Sequence, residues 1–220
     1  MSGSLKSIMN KKLITIIDYN MGNAKSVKNS LKKIDINAKI VSQPTDLEES
    51  CGIILPGVGS FNKAIKNLYT NKLFQKINTL VKEEHIPYLG ICLGMQLIAE
   101  DSTENQLTKG FGWIRGKVRK IDSNNQIRLP HVGWNQIVKN GNSKLLSRIE
   151  NNTNYYFDHS FALSCDTQNI ISSTVNYGNK NLIASIEFDN IFGTQFHPEK
   201  SQINGLRVLK AFTKFVYSNQ

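Results

Sequence analysis

The sequence predicts a single-domain α/β fold in which helices flank a central mixed, mostly parallel sheet. Three observations predict it. The first half alternates short β-branched runs with stretches of helical periodicity, the spacing of βαβ units. The second half breaks into strand-like pieces separated by Asn, Gly and Asp turns. Between them, PYLGICLGMQLIAE (87–100) passes from strand to helix pattern across a cysteine set between two glycines.

Taken in order, KLITIIDYN (12–20) is a β-branched run ending in polar residues, a first buried strand. NAKSVKNSLKKI (23–34) places Val27, Leu31 and Ile34 at helical spacing. AKIVS (38–42) reads as a second strand, and CGIILPGVGSF (51–61) as a third that stops at a Pro/Gly loop. Periodicity over 61–81 predicts one or two helices, IPYLGI (86–91) a fourth strand, and LGMQLIAED (93–101) the helix after it. GWIRGKVRKID, RLPHVGWNQIV, NYYFDHSFAL, NIISSTVNYG, NLIASIEFDN and IFGTQFHPE are expected to join the same sheet as antiparallel or mixed strands. SQINGLRVLKAFTKFVYSN (201–219) closes the chain as an amphipathic helix with Leu206, Leu209, Phe212 and Val216 on one face. No internal repeat or low-complexity linker divides 11–220, so one domain is expected there. The Ser/Gly-rich 1–10 reads as a flexible arm or cloning remnant, with Met9 an alternative start.

Composition narrows the function. No apolar run reaches the roughly 20 residues that span a bilayer, and the N-terminus lacks a secretory h-region and cleavage site, which favours the cytoplasm. The net charge of +10 comes overwhelmingly from scattered Lys, with only five Arg and no basic stripe interleaved with aromatics. A solvated surface is therefore expected rather than a nucleic-acid site, while a basic patch for an acidic protein partner stays open. Cys51, Cys92 and Cys165 are widely spaced, with no CxxC pair, so neither a disulfide framework nor a metal site is expected. One reactive thiol remains possible.

A sharp turn from parallel strand to helix projects its central residue from the carboxyl edge of the sheet, where open α/β sheets place their ligands. It also brings helix against strand, leaving little room for Cβ atoms two residues either side. Gly90 and Gly94 occupy those places, so GICLG is the thiol version of the G-x-S-x-G elbow. Free N–H groups at the helix start favour a thiolate on Cys92. A buried structural cysteine beside packing glycines is the alternative for this pentapeptide alone.

A thiolate nucleophile needs a base, and the base an orienting group. In TQFHPEKS, His197 and Glu199 stand two apart, and Pro198 biases His197 toward extended backbone, so both side chains are expected on one face. His159 competes for the base role, but its neighbour Asp158 would point to the opposite face; His85 and His131 read as structural or peripheral. For the oxyanion formed on carbonyl attack, the expected donors are the N–H groups of Val58, in LPGVGSF, and of Leu93. Gly57 and Gly59 make rotation of the peptide between them inexpensive, so a misdirected amide there would leave the oxyanion without one of its donors. Neither phosphate-binding glycine motif is present, which weakens a nucleotide reading.

PGVGSF, GICLGMQL and FHPEKS, in that order and spacing, resemble the class I glutamine amidotransferases, whose Cys-His-Glu triad hydrolyses glutamine to glutamate and ammonia. Within that class, DYNMGNAKSV, PGVG, LPHVGWNQI and YYFDHSF resemble the glutaminase subunits of imidazole glycerol phosphate synthase, from about residue 12 to the end. The resemblance implies Cys92 as nucleophile, His197 as base then acid, and Glu199 as its orienter. It implies that Gly57, Gly59, Gln96, Ser160 and Phe161 hold L-glutamine, and that Asn23, Trp134 and Lys200 meet a partner. That partner would be a cyclase subunit of (β/α)8 barrel fold in a heterodimer, receiving channelled ammonia and making imidazole glycerol phosphate and aminoimidazole carboxamide ribotide in histidine biosynthesis. No cofactor, nucleic acid or membrane is implied. The family commonly carries an apolar residue where this chain has Asp158 and a tyrosine where it has Phe161. These departures keep open a paralogous glutaminase that serves amidation of a cell-surface sugar. A stand-alone thiol hydrolase would leave Asn23, Trp134 and Lys200 without a role, and a silent docking subunit would not need the intact triad.

Overall fold

The computed structural model describes residues 13–123 and 127–218; the expected arm at 1–10 lies outside them. The chain runs β1 (Leu13–Ile17), α1 (Ala24–Lys32), β2 (Ala38–Val41), β3 (Ser50–Gly57), α2 (Phe61–Thr70), α3 (Leu73–Asn78), β4 (Tyr88–Cys92) and α4 (Leu93–Gln96). The short β5 (Asp101–Ser102) and β6 (Thr108–Lys109) follow, then β7 (Gly116–Lys120), β8 (His131–Lys139), β9 (Thr153–His159) and β10 (Phe161–Cys165). Last come β11 (Ile171–Tyr177), β12 (Lys180–Phe188), β13 (Ile191–Thr194) and α5 (Gln202–Ser218).

Among the described residues nine strands form the main sheet, in the order β2-β1-β3-β4-β13-β12-β11-β8-β9. The pairs from β2 through β13 are parallel and those beyond it antiparallel. β3 and β4 lie side by side with Gly57 opposite Cys92, so the glycine loop and the elbow leave the same edge. Buried strands dictate the apolar runs: every residue of β3 and β4 is buried. One sheet face packs on α1 and α5 through Val27, Leu31, Leu209 and Phe212; the other packs on α2 and α3 through Phe61, Leu68, Leu73 and Ile77.

Three expectations are corrected. The second-half strands do not all join one sheet: β10, β7, β5 and β6 make a separate four-stranded sheet. The chain crosses between sheets at Ser160, where β9 ends and β10 begins, and the Ser160 carbonyl accepts from Ile121 N–H at 3.0 Å. The helix after Cys92 stops at Gln96 instead of reaching 101. The carbonyls of Leu97, Ile98 and Ala99 accept from the amides of Phe111, Trp113 and Gly112, and so have left the helical ladder. In α5 the buried face is Gly205, Val208, Leu209, Phe212 and Val216, with Leu206 only half-buried.

Candidate active site

Cys92 closes β4 with φ +52° and ψ −106°, a conformation costly for any residue with a Cβ, and so projects its side chain off the strand end. The flanking glycines make this turn sterically possible. A Cβ at Gly90 would come within 2.6 Å of the Gly94 carbonyl carbon, and one at Gly94 would overlap the Leu55 carbonyl oxygen. The N–H of Leu93 opens α4 immediately beyond the sulfur.

His197 and Glu199 come together through a different local structure from the one expected. His197 is extended (φ −96°, ψ 97°) before Pro198, but Glu199 then sits in a single 3-10 turn, Pro198–Lys200. The turn folds the carboxylate back, and its Oε1 accepts from His197 Nδ1 at 2.8 Å. Both side chains are almost wholly buried, and Nε2 has no oxygen or nitrogen partner among the described residues. Burial pulls this imidazole's pKa down, but the Cys92 charge, the hydrogen bonds to Cys92 and Glu199 and the Glu199 charge outweigh it, raising the value to about 10. The site thus favours an imidazolium beside the Cys92 sulfur.

Two further groups hold the sulfur. Gln195 donates through Nε2 to Cys92 Sγ at 3.5 Å, and Cys92 Sγ lies 3.9 Å from the Asp158 carbonyl. Gln195 Oε1 accepts from Gln96 Nε2 at 2.9 Å, which also donates to the Phe161 carbonyl at 2.9 Å. The sequence reading missed Gln195; the position two before the histidine on a buried strand end was its only signal.

His159 is not placed as the base. Its Nδ1 donates to the Phe161 carbonyl at 2.8 Å and its Nε2 pairs with His131 Nδ1 at 3.1 Å. Burial holds His159 down to about 3, and burial also holds His131 down to about 4, so both rings are neutral. His131, read as structural or peripheral, is a buried support of this wall, stacked on Phe157 and Tyr177.

A cavity of about 430 Å³ opens over the sulfur, walled by the 58–60 loop, Leu93, Gln96, Glu104 and the 158–161 segment. Expected glutamine contacts Gly59, Gln96, Ser160 and Phe161 line it; Gly57 does not, lying beneath the loop. Glu104, absent from the sequence reading, lines it too, and its Oε2 accepts from the Phe61 N–H at 2.7 Å. Its loop position carries no motif that would have flagged it.

The Val58 peptide stands in the misdirected orientation that the glycine loop allows. Val58 N–H points away from the cavity and donates to the Met21 carbonyl at 2.7 Å. The 20–23 loop packs tightly here: a Cβ on Gly22 would stand 2.9 Å from the Pro56 oxygen, and one on Gly59 3.0 Å from Met21 Cε. Gly59 has φ +101°, available freely only to glycine. Of the expected partner residues, Trp134 and Lys200 flank Tyr156, with the Lys200 Nζ 5.2 Å from its ring centre. Lys200 also pairs with Asp158 at 3.7 Å. Asn23, exposed at the start of α1, accepts from Ser26 N–H at 3.1 Å as its cap.

The chain is 42% identical over 204 residues to the imidazole glycerol phosphate synthase subunit HisH of Pelagibacter ubique, covering 90% of this chain and 98% of that one. It is 39% identical over 206 residues to the subunit of the same name from Bacillus subtilis, covering 92% and 96%. Among solved structures, one described as a glutamine amidotransferase superposes with a TM-score of 0.72 at 16% identity, covering 93% of this chain and 99% of that one. A putative GMP synthase protein from Thermoplasma acidophilum gives a TM-score of 0.71 at 17% identity, covering 94% and 96%. The family described as Glutamine amidotransferase class-I matches residues 15–214. The chain therefore belongs to the class I glutamine amidotransferases.

Proposed function

We propose that the chain is the glutaminase subunit of an imidazole glycerol phosphate synthase and works through Cys92, His197 and Glu199. The observation that carries the reading is the buried imidazole bound to Glu199 through Nδ1, its Nε2 free of any oxygen or nitrogen partner among the described residues and within electrostatic reach of Cys92. The names of the relatives support histidine biosynthesis over the sugar-amidating alternative.

In this reading Cys92 Sγ attacks the amide carbon of glutamine and the carbonyl oxygen becomes an oxyanion. His197 gives its Nε2 proton to the leaving nitrogen; the C–N bond breaks and ammonia departs from a γ-glutamyl thioester. Water then attacks, His197 takes its proton, and the C–S bond breaks to release glutamate. Glu199 holds the tautomer and stabilises the imidazolium. Glu104, on the cavity wall, supplies the negative charge that suits the substrate ammonium.

Donation by Val58 requires its peptide to leave Met21. Met21 stands two residues before Asn23, so a partner docked on the 20–23 loop, Trp134 and Lys200 can release the amide and switch the site on. The partner in this reading is a (β/α)8 cyclase subunit, and the cytoplasmic heterodimer passes ammonia to it. The test is product formation by the chain with its cognate barrel subunit. Glutamine should support cyclisation with unsubstituted protein, whereas Cys92→Ala should require added ammonium. A Cys92→Ala complex that still uses glutamine would exclude the triad.

A further inference from the structure

Tyr19 follows β1, and its side chain is fully buried, yet its hydroxyl has no hydrogen-bond partner among the described residues. Such a group calls for an explanation, because burying an unpaired hydroxyl is unfavourable and a phenylalanine would fill the same volume. Its position supplies one. A Cβ on Gly57 would overlap Tyr19 Oη and come within 2.9 Å of Leu93 Cβ, so the hydroxyl lies directly under the strand end between the glycine loop and the elbow. The backbone of Tyr19 is held there, its carbonyl accepting from Asn67 Nδ2 at 3.0 Å. Burial first, and then the Cys92 charge, push its pKa upward, so it remains a donor.

Rotation of the Gly57–Val58 peptide exchanges the directions of one N–H and one C=O. Once the Val58 N–H leaves Met21, the Gly57 carbonyl must turn too, and left toward the Met21 oxygen it would meet another acceptor. We propose that the Tyr19 hydroxyl is a positioning residue for the oxyanion hole: it donates to the Gly57 carbonyl when the 57–58 peptide rotates, holding the Val58 N–H toward the cavity. The role rests on the glutaminase reading and adds to it a hydroxyl that never touches substrate. Tyr19 and Met21 then act from one loop on opposite states of the peptide, Met21 holding the resting orientation and Tyr19 the productive one.

Tyr19→Phe removes the donor and keeps the ring. In the complex with the cognate barrel subunit, the variant should lose about tenfold in glutaminase kcat with KM within twofold of the unsubstituted protein. Glutamate γ-semialdehyde, which forms a tetrahedral adduct on the thiol, should bind about tenfold more weakly, whereas iodoacetamide should alkylate Cys92 at an unchanged rate, since that displacement develops no oxyanion. The melting temperature should hold or rise. Unchanged kcat and aldehyde affinity would overturn the role of Tyr19 while leaving the glutaminase reading intact. A fall in alkylation rate or melting temperature parallel to kcat would overturn it in favour of simple packing. An unsubstituted complex that neither turns over glutamine nor forms the adduct would overturn the glutaminase reading and this inference with it.

Discussion

Cys92 keeps a left-handed backbone that presents the sulfur to the cavity rather than adding stability. Strain of this kind costs on the order of 1–3 kcal/mol, so Cys92→Gly should melt at a higher temperature than the unsubstituted protein while being inactive. Cys92→Ala, which keeps the Cβ, should lose about 10⁴-fold or more in glutamine turnover with a native circular dichroism spectrum. Glu199→Gln should cost about 10²–10⁴-fold in kcat, because an amide can present its NH2 to Nδ1 and favour the wrong tautomer; steady-state ammonia release measures it. At this scale much was legible. A thiol between two glycines and a histidine separated from a glutamate by one proline carry their chemistry in their spacing. Gln195 and Glu104 were not legible, since each depends on which distant segment folds over the sulfur, and a lone Gln or Glu has no pattern.

The elbow's cost falls on the elements around it. The Gly94 Cα lies against the Leu55 carbonyl of the neighbouring strand, and both sides of that contact are main chain, which cannot step aside as a side chain can. Gly94→Ala should therefore destabilise by about 3 kcal/mol or more, seen as a lower urea midpoint with an unchanged slope; a loss under 1 kcal/mol would show that α4 can shift. The parallel half of the sheet was readable because β1, β3 and β4 are continuous apolar runs bounded by turn residues. α4 and the second sheet were not. Leu97–Ala99 continue a helical pattern, but their carbonyls are taken by amides from 111–113, a long-range competition that periodicity cannot register. β9 and β10 look like one strand in sequence, and only the break at Ser160 divides them between sheets.

For the whole molecule, buried histidines set a window of pH. His131 and His159 have folded pKa values of about 4 and about 3, below the ordinary value near 6.5. The unfolded chain then binds more protons, and stability falls as pH drops from about 6.5 toward 4. His197 runs the other way: raised to about 10, its contribution is complete below pH 6.5 and is lost as pH rises through 10. Thermal melting from pH 4 to 10 should accordingly give a maximum near neutrality. His159→Asn should flatten the acid limb, and His197→Asn the alkaline one; an acid limb unchanged in His159→Asn would place its origin elsewhere.

The contact between the Val58 amide and the Met21 carbonyl also bears on gene dosage. On the proposed reading, a chain that idles until its companion arrives can accumulate in surplus without draining the nitrogen donor it consumes or leaking a toxic base. Supply of the two polypeptides then has no need of strict matching, provided this one is never the scarcer.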